Sequence, residues 1–187
     1  MDEFGYLSVI ISIILGLSVT QLLQGFGQII NARDRVRMYW PSIGWAVLLL
    51  IVDAQAWWVM FGYRTKHDWT FLQFAVVLFE TILLYLLAAL ALPRVPDEGE
   101  VDLQSNYFRH AHWFFGSLVV VLLDSLLKDW LIDRSFHGGF NLGFHLFWIG
   151  TGLIAALTRS NRYHKTFFCV SFALFVSYIA LFFARLR

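Results

Sequence analysis

Six stretches of this chain, at roughly 6–30, 42–62, 69–92, 112–132, 140–158 and 166–185, each consist of about 20 mostly apolar residues. That is the length an α-helix needs to cross the ~30 Å hydrocarbon core of a bilayer. Lipid offers no hydrogen bonds, so a spanning segment must satisfy its backbone internally, and a helix does so residue by residue. The pattern predicts an all-α, polytopic integral membrane protein: a compact bundle of six transmembrane helices forming a single transmembrane domain over 1–187. The connections 31–41, 63–68, 93–110, 133–139 and 159–165 allow only antiparallel neighbours. Pro41 suits the first turn of the second helix, and Pro93 and Pro96 stop the third.

Composition narrows the class further. Of the 187 residues 59% are hydrophobic and only 14% charged, against about 25% charged in soluble domains. A net charge of +1 and the lack of a Lys/Arg cluster argue against a nucleic-acid partner. The single cysteine, Cys169, excludes a disulfide framework and a four-cysteine metal site. The start, Met1-Asp2-Glu3, is acidic where a signal peptide is basic, so the first apolar run is read as a permanent helix. No internal repeat is evident: inverted halves would need acids at matching places in the second and fifth helices, and the fifth has none.

Arg33, Arg35, Arg37, Arg94, Arg109, Arg159, Arg162 and Lys165 fall in loops on one side of such a bundle. Arg64, Lys66, Arg134, Arg185 and Arg187 fall on the other, with Lys128 inside the fourth helix near that side. The excess assigns the first set to the cytoplasm and both termini to the outside. Short Arg-rich turns of this kind look like those of bacterial inner-membrane proteins. Tyr39, Trp40, Tyr63, Trp69, Trp113, Trp130 and Tyr163 mark helix ends as interfacial aromatics do. The acidic run from Asp97 to Asp102 reads as a solvated loop.

The first helix carries a seam of small and amide residues at steps of four: Ser8, Ser12, Gly16, Thr20, Gln24 and Gln28, with Ser18, Gln21, Gly25 and Gly27 beside it. Small residues let helices approach in lipid, and amides supply hydrogen bonds there. Steps of four advance 400°, so the seam winds about the helix. Its outer half, with Ser12 and Gly16, is expected to pack on one neighbour. Its inner half, with Thr20 and Gly25, should turn toward another surface. Gly139 and Gly143 form a GxxxG in the fifth helix, a second candidate for close packing within or between subunits. A homo-oligomer is expected.

Charge inside the membrane is the strongest pointer to function, because a carboxylate at mid-bilayer costs about 2.5–3.5 kcal/mol on insertion scales. Asp53 and Glu80 each lie about 16–18 Å from the cytoplasmic end of neighbouring antiparallel helices, a common depth. Gln21, Gln55 and Tyr178 lie near that level as polar partners. Two adjacent carboxyls can share or exchange one proton, or ligate a small monovalent cation through oxygen. In the fourth helix Asp124 and Lys128 are spaced i,i+4 as an ion pair. His145 falls near the depth of Asp124, which completes a secondary polar cluster.

Other chemistries find less support. Bis-histidine haem ligation needs two imidazoles at one depth, and the nearest pair, His112 and His164, includes a loop residue; no cofactor is expected. No phosphate loop, His-Glu-x-x-His or nucleophile elbow is present, so nothing indicates an enzyme. The leading expectation is a channel or transporter for protons or small monovalent cations. The alternative is a non-catalytic scaffold or sensor subunit whose seam binds partner helices or lipid, and the third is a cofactor-binding redox protein.

Overall fold

A computed structural model describes residues 3–66, 68–133 and 138–182. Most of the described residues lie in six α-helices: α1 (Glu3–Asn31), α2 (Trp40–Met60), α3 (Phe71–Ala91), α4 (Leu103–Asp133), α5 (Gly138–Leu157) and α6 (Asn161–Phe182). Short 3-10 turns follow α1 at Arg33–Arg35 and α2 at Phe61–Thr65. The six helices match the six apolar runs, and three of them, α1, α2 and α3, are long and apolar enough by themselves to cross a membrane.

The helix starts have local causes. Pro41 sits in the first turn of α2, where its missing N–H costs nothing. Thr70 and Gln73 cap α3 reciprocally, each side chain accepting the other's backbone N–H. Gln73 also donates to the Leu131 carbonyl at 2.9 Å and so ties the start of α3 to the end of α4. The Asp102 carboxylate accepts from the Gln104 and Ser105 N–H groups, and that cap starts α4 nine residues before the expected 112. Ser160 accepts from the Tyr163 N–H and starts α6 at 161 rather than 166.

α3 packs against both α1 and α4, α4 against α5, and α2 bridges α1, α3 and α6. Two-residue strands, unexpected from the sequence, join two loops in parallel: β1 (Val36–Arg37) and β2 (Val101–Asp102), with Val36 opposite Val101 and Arg37 opposite Asp102. Arg35 donates to the carbonyls of Pro96 and Gly99 beside them, and Gly99 takes the left-handed φ of 92° that suits glycine. The core at this end is aromatic. Trp45 packs edge-on or tilted against Phe114, Phe115, Phe167 and Phe168, with centroids 5.4–5.7 Å away.

The seam of α1 is corrected. Its buried face is Leu7, Ile11, Leu15, Ser18, Leu22, Gly25 and Ile29, whose mixed steps of four and three stay on one side of the helix. Ser12, Gly16 and Thr20 are exposed, and a Cβ on Gly16 would meet nothing within 4 Å. Strict steps of four drift 40° each, which carries them off the packed face. Gly25 does serve close packing, since a Cβ there would lie 2.9 Å from Leu92 Cδ1. On α5 the close approach is Gly152 against Val119. Gly143 is exposed with open space around it, and the surroundings of Gly139 lie outside the described residues, as do Arg134, Arg185 and Arg187.

Candidate functional site

Asp53 lies on the buried stripe of α2, one turn beyond Leu49 and two beyond Trp45. It is 2% exposed. The Ser18 hydroxyl of α1 donates to Asp53 Oδ2 at 2.7 Å and lies 3.4 Å from the Leu84 carbonyl of α3. Asp53 Oδ1 is buried and has no hydrogen-bond partner among the described residues.

Glu80 sits one turn before Leu84 on α3. It does not pair with Asp53 but with α4, where the Lys128 ammonium donates to Glu80 Oε2. The two side chains are 16% and 12% exposed. The expected pairing of Lys128 with Asp124 is thereby replaced, because α3 lies directly against α4 and brings a carboxylate across the interface. Asp124, 6% exposed, remains within electrostatic reach of both Glu80 and Lys128. Its Oδ2 is buried without a partner among the described residues. The other unpartnered buried polar atoms, Trp45 Nε1, Trp148 Nε1 and Ser171 Oγ, belong to neutral groups.

The remaining candidates divide between these stations or leave them. Tyr178 stacks on Phe144 with centroids 4.9 Å apart and lies near Asp129 and Lys128, so it belongs with the α4 cluster. His145 Nε2 meets the Ser125 hydroxyl at 3.3 Å, next to Asp124 in the chain. Gln21 and Gln55 are half-buried and bond to neither acid. Thr20 donates to the Gly16 carbonyl of its own helix, and Ser12 accepts from Trp57 Nε1 at 3.2 Å. Ser18 is the residue whose role the sequence reading missed. It stood beside the seam in the pattern of four, but the spacing with Leu15 and Leu22 marks it as core-facing.

A second polar group closes the end where the α1–α2, α3–α4 and α5–α6 loops meet. Tyr39 donates to Asn161 Oδ1 at 2.8 Å. His164, fully buried, has Nδ1 2.9 Å from the Tyr107 hydroxyl and Nε2 3.0 Å from the Thr158 carbonyl. A carbonyl only accepts, so Nε2 carries the proton and Nδ1 accepts from Tyr107. Both ring nitrogens are used, which leaves neither for a haem iron. Burial holds His164 below its usual value near 6.5 and pushes the Tyr39 phenol up to about 12.

The chemistry open to this interior is that of oxygen lone pairs. Two buried carboxyl oxygens, Asp53 Oδ1 and Asp124 Oδ2, have no hydrogen-bond partner among the described residues, and each offers its lone pairs to a proton or a small cation. Among the described residues no group of three or more His, Cys, Asp or Glu is placed to hold a metal ion. No protein-family model, curated protein or solved structure matches the chain.

Proposed function

We propose that the chain is a six-span protein of a bacterial inner membrane that moves or couples protons or small monovalent cations. Asp53, Asp124 and the Glu80–Lys128 pair are its working groups. The reading of α4, α5 and α6 as spans is supported by an inside-out distribution of polarity. On α4, Leu123 and Leu127 are 51% and 45% exposed while Asp124 is 6% exposed. On α5 Leu146 and Ile154 face outward and His145 inward; on α6 Leu174 and Val176 face outward and Ser171 inward. The inward faces also hold apolar residues, among them Phe115, Trp148 and Phe167; a helix in water would set polar residues on its outward face, where these helices carry apolar ones, as lipid favours. The basic loops gather at the end held by β1 and β2, the end that the positive-inside rule gives to the cytoplasm, with both termini on the other.

The observation that carries the functional reading is the pair of unpartnered carboxyl oxygens. They belong to separate helix interfaces that flank one turn of α3: Ser18, bonded to Asp53, approaches Leu84, and Glu80 lies about 6 Å along the same helix. Asp53 and Asp124, reached from neighbouring turns of α3, are the two stations of a stepwise proton transfer in this reading. Reconstitution in liposomes under an imposed pH gradient tests it. Asp53→Asn and Asp124→Asn should each remove the flux shown by the wild type, whereas unchanged flux in both overturns the proposal.

The scaffold reading is favoured by one observation, the exposure of Ser12, Gly16 and Thr20 on a face of α1 where, among the described residues, a Cβ on Gly16 would meet nothing within 4 Å. It is the reading that stands if flux is absent from the wild type and Gly16→Leu dissociates an oligomer.

A further inference from the structure

Lys128 brings a positive charge among the helices, where it is paired with Glu80. Its ammonium bonds to Glu80 of α3 and lies one helical turn from Asp124 on the same face of α4. Asp124 is more than nine-tenths buried, with Oδ2 unpartnered and within electrostatic reach of both Glu80 and Lys128. Around the ammonium stand Asp129 of α4, Tyr63 beyond the end of α2, and Tyr178 of α6. His145 of α5 contacts the neighbouring Ser125. Glu80, Asp124, Asp129, Tyr63 and Tyr178 all offer oxygen, the donor atom that hard cations take. The ammonium supplies the cation from within the chain.

We infer that Lys128 is a tethered cation that closes the Glu80–Asp124 site to free alkali-metal ions and restricts it to protons. The inference deepens the proposed function and rests on its assignment of this site. A proton entering the site binds an oxygen lone pair of Asp124 and needs no space. An alkali-metal ion would have to displace the ammonium from Glu80, leaving a buried positive charge without its partner, a costly exchange. Deleting the ammonium removes that obstacle and leaves the Glu80 carboxylate without its partner, with Asp124 within electrostatic reach.

Thermal unfolding of the purified full-length protein in LiCl, NaCl, KCl or choline chloride, at equal ionic strength, tests this. Wild type should melt at one temperature in all four salts. Lys128→Ala should melt at the lower temperature in choline and rise saturably with at least one alkali-metal ion, as a protein does when it gains a ligand specific to its folded state. Glu80→Gln added to Lys128→Ala should abolish that rise. Should Lys128→Ala fail to fold in choline, recovery of the fold in an alkali-metal chloride is the supporting result. A wild type that responds like Lys128→Ala overturns the inference, as does a Lys128→Ala protein that no alkali-metal ion stabilises or rescues. The assay reads binding without transport, so it can fail while proton flux stands, and it can succeed in a protein that shows no flux.

Discussion

The two ends of the bundle solve the same problem of buried polarity in opposite ways. At the loop-rich end, Tyr39, Asn161, Tyr107, His164 and Thr158 tie two loops to α4 and α6 through neutral groups, and both His164 nitrogens are engaged. Deeper in the helices, Asp53 and Asp124 each keep an oxygen without a partner among the described residues, and a largely enclosed ion pair stands beside one of them. A saturated neutral network fixes geometry and has nothing left to bind. A carboxyl with an open oxygen holds capacity in reserve, at a cost to stability that a purely architectural contact would not incur. The difference separates the part of the molecule that holds the fold from the part proposed to act.

The sharpest way to break that contrast is to remove one partner of the ion pair. Lys128→Met should destabilise the protein by about 3–5 kcal/mol in alkali-metal-free buffer, because Glu80 is left buried without its counter-ion. The double variant Glu80→Gln with Lys128→Met should recover much of that loss, since burying two neutral groups avoids the desolvation of a lone charge. Equilibrium unfolding in a graded denaturing detergent measures both. If the single variant loses less than about 1 kcal/mol, the pair is solvated and the contrast between the two ends collapses.

Less disruptive is Ser18→Ala, which deletes the hydroxyl donating to Asp53 Oδ2 and leaves the carboxyl without any hydrogen bond. A loss of about 1–3 kcal/mol is expected, together with altered proton flux in liposomes. The neighbouring Thr20→Ala removes a bond made only to its own helix and should change stability by no more than about 0.5 kcal/mol.

That pair of serine and threonine also shows how far the sequence could be read. Helix number and order followed from the length and spacing of the apolar runs, because a run of about 20 apolar residues marks a helix by itself, whatever its neighbours. The rotation of each helix about its axis did not, because neighbours set it. In α1 the step-of-four seam was the most regular pattern, yet the step-of-three-and-four stripe through Ser18 is the one that packs. The depth of Asp53 and Glu80 was legible from residue counts, but their partners were not. Asp53 turns to α1 and Glu80 to α4, and depth alone carries no information about azimuth. His164 was placed in a loop because its surroundings are polar; the Ser160 cap winds it into α6, where Tyr107 closes over it.

The smallest expected effect probes the neutral end through pH. His164 is held below its ordinary value by burial, and it lies in the first turn of α6, ahead of the expected span. Its folded form therefore binds a proton less readily than its unfolded form. The stability it contributes is complete above about pH 6.5. As pH falls below that value, the unfolded chain gains a proton that the folded chain does not, and stability declines until the folded imidazole itself titrates. The slope contributed by this one group is at most about 1.4 kcal/mol per pH unit. His164→Phe, which keeps the ring among Phe108, Phe115 and Tyr163, should cost stability at pH 8 through the orphaned Tyr107 hydroxyl. It should also be less sensitive to acid than wild type, so that the two unfolding curves converge as pH falls below about 6.5. Parallel curves across that range would mean that His164 titrates alike in both states, and that water reaches the loop-rich end after all.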